Sequence, residues 1–93
     1  MDGLSPIERK KLKARAHALD PIVHIGGKGL TDAVIAEIGR ALDAHELIKV
    51  RAGSMERDDR EAAYVEICNR LAAQPVQHIG KVFVIYRTKP DEA

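Results

Sequence analysis

Apolar residues at Val34, Ile35, Ile38, Ala41 and Leu42 recur at i, i+1, i+4, i+7 and i+8. That is the stripe of an amphipathic helix. Thr31 stands just before it as a natural N-cap. Upstream, Leu4, Leu12, Ala16 and Leu19 fall on one side of a helical wheel, with Arg9, Lys10 and Lys13 on the other. Ser5-Pro6-Ile7-Glu8 reads as a capping box with proline at the first helical position. This first helix should run to about Ala18, and Pro21 closes the segment. A third helical pattern holds Tyr64, Val65, Cys68 and Leu71. It is expected to start at a cap on Asp58 or Asp59 and to end near Ala73, before Pro75.

Shorter apolar runs mark the strands. Ile22-Val23-His24-Ile25 reads as a strand buried on both faces. Leu47 to Arg51 alternates, with Ile48 and Val50 inward and Lys49 and Arg51 outward. Val76 to Ile79, Gly80-Lys81 and Val82 to Tyr86 read as a hairpin with a Gly-X turn. Five consecutive apolar residues make its second arm an interior strand. The order is α-β-α-β-α-β-β, and strand–helix–strand at this spacing predicts a parallel βαβ unit. The fold class is therefore α/β (α+β): one domain, residues 4–88, with a four-stranded mixed sheet, three helices and flexible tails at 1–3 and 89–93.

Composition narrows the chemistry. The chain has 93 residues, enough for one small core, and a net charge of +1. Charge is unevenly spread: Arg9 to Lys28 holds six basic residues against Asp20 alone, while Thr31 to Arg70 holds six basic and nine acidic residues. Phe83, Tyr64 and Tyr86 are the only aromatic residues, which disfavours base recognition by several aromatic platforms. Cys68 is the single cysteine, so no intrachain disulfide is expected and a buried apolar role suits it. No run looks like a signal peptide or a membrane span, so a cytoplasmic protein is expected.

One stretch suggests a site. Gly26-Gly27-Lys28-Gly29 joins the first strand to the best helix. Such a loop offers backbone N–H groups to an anion, and Lys28 adds a mobile charge. It is neither a Walker A loop nor a full G-x-G-x-x-G. It reads either as an anion cradle or as a plain strand-to-helix turn. Lys10, Lys13 and Arg15 on the first helix are candidate phosphate contacts, or simply a solvated face. Lys49, Arg51, Lys81 and Arg87 could extend that surface, or protect strand edges. His17, His24, His45 and His78 lack metal-ligand spacing, so no metal is expected. His24 fits a hydrogen-bonded core position, and His17 could stack on RNA. Neither Ser5 nor Ser54 has a base and an acid to form a nucleophile, so no catalytic residue and no cofactor are assigned.

Taken together, several runs resemble a known family: Leu12 to His17, Pro21-Ile22-Val23, Ile25 to Thr31, His45 to Val50, Ile79-Gly80-Lys81 and Tyr86-Arg87. They are similar to the CRM domain, and specifically to the bacterial single-domain YhbY-type RNA-binding proteins, over residues 4 to 88. The resemblance implies a fold like the C-terminal domain of translation initiation factor three. It implies RNA binding through Gly26, Gly27, Lys28 and Gly29, with Lys10, Lys13, Arg15, Lys49, Arg51 and Lys81 as helpers. Its bacterial members associate with precursors of the large ribosomal subunit, so a non-enzymatic, monomeric ribosome-assembly factor is expected. Asp20 stands where many members have lysine, and Asp91-Glu92 replaces a basic tail. Both departures weaken the positive field and imply reliance on ribosomal context. Two other readings stay open: a protein-interaction module whose glycine loop is only a turn, and a small enzyme or nucleotide binder.

Overall fold

The stripe of Ile35, Ile38 and Leu42 becomes the buried face of a helix, α2 (Asp32–His45), in a computed structural model that describes residues 3–88. Thr31 caps it, its hydroxyl oxygen accepting from the Val34 N–H at 3.1 Å. The other elements are α1 (Pro6–Ala16), β1 (Val23–His24), β2 (Leu47–Arg51), α3 (Arg57–Leu71), β3 (Gln74–Ile79) and β4 (Val82–Tyr86). The order matches the sequence reading. The tails expected at 1–3 and 89–93 lie, apart from Gly3, outside the described residues.

The four strands form one mixed sheet in the order β1-β2-β4-β3. β1 and β2 pair in parallel, whereas β4 is antiparallel to both of its neighbours. The run Val82 to Tyr86 is thus an interior strand. Each sheet face packs against helices. On one face, α2 and α3 cover Val23, Ile25, Ile48, Val50, Phe83 and Ile85. On the other, Leu12 and Ala16 of α1 close over Leu47, Val76 and Val84. The alternation along β2 sends Leu47, Lys49 and Arg51 to the α1 face. The hydrophobic driving force is therefore split between two unequal cores.

Four local expectations change. Ile22 is 46 % exposed and His24 is also exposed, so β1 is buried on one face only and His24 is no core histidine. The reason is position: β1 is an edge strand, and α1 packs over β2 and β3 instead. Helix α3 starts at a Glu56 N-cap whose side chain makes no capping bond, with Asp58 and Asp59 inside the first turn. There they favour the positive end of the dipole rather than cap it. The Arg60 guanidinium holds this start by donating to the Met55 carbonyl at 2.7 Å. Helix α1 stops at Ala16 because His17, Ala18 and Leu19 donate to carbonyls three residues back. Finally, Pro75 lies within β3 rather than before it, next to a bulge on an edge strand, where its missing N–H is tolerated.

Candidate functional site

The glycine loop is a tight turn. The Gly29 N–H donates to the Gly26 carbonyl at 3.0 Å, and the Thr31 N–H to that of Gly29 at 3.0 Å. Gly29 has φ +74, a conformation that a Cβ would strain. Gly26 and Gly27 differ: a Cβ at either would meet nothing within 4 Å. Packing in the folded chain therefore does not require glycine there. Lys28 is exposed at the tip. The N–H groups of Gly27 and Lys28 have no acceptor among the described residues.

Backbone bonds fix what surrounds this loop. The Ile25 N–H donates to the Arg51 carbonyl at 2.8 Å, and the Ser54 hydroxyl to the Ile25 carbonyl at 3.3 Å. The Ala52 N–H donates to the Lys81 carbonyl at 2.7 Å. The glycine loop, the exit of β2 and the β3–β4 turn thus share one end of the sheet. Lys28, Arg51 and Lys81 are brought to that end, and all three are exposed.

The remaining candidates divide. Lys13 and Lys49 join Arg51 around a groove of about 410 Å³ on the α1 face. Lys10 is exposed one turn earlier on α1 and does not line it. Arg15 points to a different depression, of about 390 Å³, beside His45 and Leu47. Asp20 lines both depressions and is the sole acid in either. Among the described residues, no side chain of Lys10, Lys13, Arg15, Lys28, Lys49, Arg51 or Lys81 forms an ion pair. Uncompensated cations on one surface attract an anion more strongly than the net charge suggests.

Arg87 is otherwise engaged. Its guanidinium donates to the Leu71 carbonyl at 2.8 Å, the Gly39 carbonyl at 3.1 Å and the Asp43 carboxylate at 2.8 Å. It ties β4 to α2 and α3 and is not part of a free basic surface. Two arginines escaped the sequence reading. Arg57 and Arg60 line a depression of about 300 Å³ with His78 and Gly80, beside the β3–β4 turn. Their neighbours Glu56, Asp58, Asp59 and Glu61 hide them in any running charge count. Only the first-turn position of Arg57, with Gly80 folded beside it, sets the pair apart.

No reactive group emerges. Burial pushes the Cys68 thiol up to about 11, which keeps it protonated and unreactive near neutrality. Burial also raises the Tyr64 hydroxyl well above its ordinary value, and it donates to the Val84 carbonyl at 3.4 Å. Its ring packs on Phe83 and His78 at centroid distances of 5.1 and 5.4 Å. Among the described residues, no group of three or more His, Cys, Asp or Glu could hold a metal ion. No described helix is long and apolar enough to cross a membrane.

Known proteins share this framework. The solution structure of a Staphylococcus aureus hypothetical protein, described as a candidate RNA binder, superimposes with a TM-score of 0.82. It is 31 % identical, and the match covers 97 % of this chain and 94 % of that one. A Pseudomonas aeruginosa protein named a probable RNA-binding protein is 42 % identical over 88 residues, covering 95 % of this chain and 85 % of its own. A Haemophilus influenzae protein named an RNA-binding protein is 42 % identical over 87 residues, covering 94 % and 88 %. The family model of the CRS1/YhbY (CRM) domain matches residues 4–87, nearly the whole described fold, and the chain belongs to that family.

Proposed function

We propose that this chain is a non-enzymatic RNA-binding protein that clamps backbone phosphates with its glycine loop. The observation that carries this reading is the pair Gly26 and Gly27. Neither is required by packing. Two unpaired N–H groups and the exposed Lys28 lie in the same turn. A loop with no side chain on its approach lets a phosphate reach the backbone itself, and N–H to phosphate bonds are charge-assisted. Lys28 adds a point charge, and Arg51 and Lys81 extend the positive surface across the same end of the sheet. The RNA-binding names of relatives from two bacteria support the choice of ligand.

Phosphate contacts hold register but carry little sequence information. Specificity then comes from RNA shape or a neighbouring protein. We place the chain as a cytoplasmic monomer on ribosomal RNA of large-subunit precursors, the partner that its family resemblance implies.

The test is fluorescence anisotropy on labelled RNA across a salt series, with native chain and Lys28→Glu. Affinity should fall with salt at a log–log slope of about −0.7 per phosphate on single strands. Lys28→Glu should weaken binding about tenfold, with stability unchanged within about 0.5 kcal/mol because the position is exposed. A flat salt slope, or a variant that binds like the native chain, removes the clamp. Tight, saturable binding of a mononucleotide would favour a nucleotide binder instead. Crosslinking in cells with RNA sequencing, and co-sedimentation with large-subunit precursors, test the ribosomal assignment.

A further inference from the structure

The groove on the α1 face extends the site beyond phosphates. Its floor is the part of the sheet at the margin of α1, where Ile79 is open, Val82 is partly open and Val84 is already covered by the helix, and the strand register defines it. One row across the sheet is Arg51, Val82 and Ile79, and the next is Lys49, Val84 and Gln77. Each row starts with a cation on β2, passes an apolar residue on β4 and ends on β3. Two residues along a strand span ~7 Å and three strands span ~10 Å, about the footprint of one nucleobase with its ribose. Lys13 adds a third cation from the α1 wall.

The floor offers apolar surface beside a polar group. Ile79 is 55 % exposed although it is a large aliphatic residue beside Val82. The Gln77 side-chain amide has no hydrogen-bond partner among the described residues. Arg51 belongs both to this groove and to the sheet end that carries the glycine loop. A strand held at the loop by its phosphates can therefore continue into the groove without leaving the positive surface.

We infer that this groove receives one unstacked nucleotide of single-stranded RNA. Its base lies on Ile79 and Val82, with its phosphates toward Lys13, Lys49 and Arg51. The inference rests on the RNA reading above and adds the class of RNA: single strands or loops rather than continuous duplex. Apolar side chains can take an unstacked base where aromatic residues are scarce, and the Gln77 amide can bond a base edge. Charge complementarity favours RNA over a protein partner, since Asp20 is the only acid facing three unpaired cations. It also predicts that Asp20 opposes binding.

The experiment uses the full chain with a labelled short oligouridylate, the same backbone without bases, and a duplex of equal length. Ile79→Ser should weaken oligouridylate binding about fivefold, equivalent to about 1 kcal/mol, at an unchanged salt slope. On the abasic backbone native and variant chains should bind alike, and the duplex should bind more weakly than the single strand. Equal affinity of variant and native chain for oligouridylate, or the same loss on the abasic backbone, overturns the groove and leaves the phosphate clamp standing. No RNA binding by the native chain at low salt overturns both. Methyl NMR of the native chain guards against a misfolded variant. Oligouridylate should shift Ile79 and Val82, and unmoved methyls there at saturating RNA overturn the groove.

Discussion

Two kinds of glycine stand side by side in one four-residue turn. Gly29 is held by the backbone: its φ of +74 puts any Cβ in the left-handed region. Gly27 has open space and no such constraint. The two substitutions should therefore separate stability from binding. Gly29→Ala should cost about 1 kcal/mol, and for a chain of this size that lowers the melting temperature by roughly 4–8 °C. Gly27→Ala should leave the melt within about 0.5 kcal/mol of native but weaken RNA binding, because its methyl stands where a phosphate would approach. Calorimetry and anisotropy on both variants check this. A Gly27→Ala chain with native affinity would show that no ligand uses the space. This division was half legible in the sequence. The spacing marked the loop, but three identical residues cannot tell strain from approach. That distinction needs φ and the surrounding volume.

Elements were legible where periodicity was strong, and less so where partners came from far along the chain. The stripe of α2, the alternation of β2 and the Gly80-Lys81 turn are set by neighbours within a few residues, and all three match the structure. His24 was misplaced because a four-residue apolar run cannot report whether a helix covers its outer face. Arg87 was misread as a surface cation because its partners, Gly39, Asp43 and Leu71, lie 48, 44 and 16 residues away in sequence. Its guanidinium satisfies two carbonyls and one carboxylate where α2 and α3 meet the end of β4. Its own N–H also donates to the Glu46 carbonyl at 2.9 Å, which positions the side chain. Removing such a hub leaves polar groups unpaired. Arg87→Ala should destabilise by about 2–3 kcal/mol, measured by urea unfolding. Arg87→Lys should recover less than half of that, because an ammonium cannot reproduce the planar fork. RNA affinity of the folded fraction should be unchanged, since Arg87 lies at the opposite end of β4 from the glycine loop. A variant with native stability would reduce Arg87 to an ordinary surface cation.

At the scale of the whole molecule, a net charge of +1 and a nucleic-acid partner look mismatched. Distance resolves this. The molecule extends 38 × 27 × 25 Å, whereas charges more than ~8 Å apart are largely screened at physiological salt. An RNA at the loop end of the sheet therefore senses Lys28, Lys81, Arg51, Lys49 and Lys13. It does not sense distant acids such as Asp43, which Arg87 already pairs. Asp20 is not distant: it is exposed, unpaired and lines the same groove as three of those cations, whereas Asp32, next to the loop, is paired with Arg70. One charge inside the patch outweighs several outside it. Asp20→Lys should therefore raise affinity for a single-stranded oligomer about three- to tenfold at low salt. The corresponding energy, about 0.7–1.4 kcal/mol, is what two units of charge at partly screened distance supply. The gain should shrink as salt rises and steepen the log–log slope, since a new cation can release a further counterion. Asp20→Asn should give roughly half the effect, with stability unchanged in both variants because the side chain makes no bond. Anisotropy titrations at two salt concentrations decide it. A gain that survives high salt would mean a new specific contact, and no gain would mean that the RNA path leaves the loop without entering the groove.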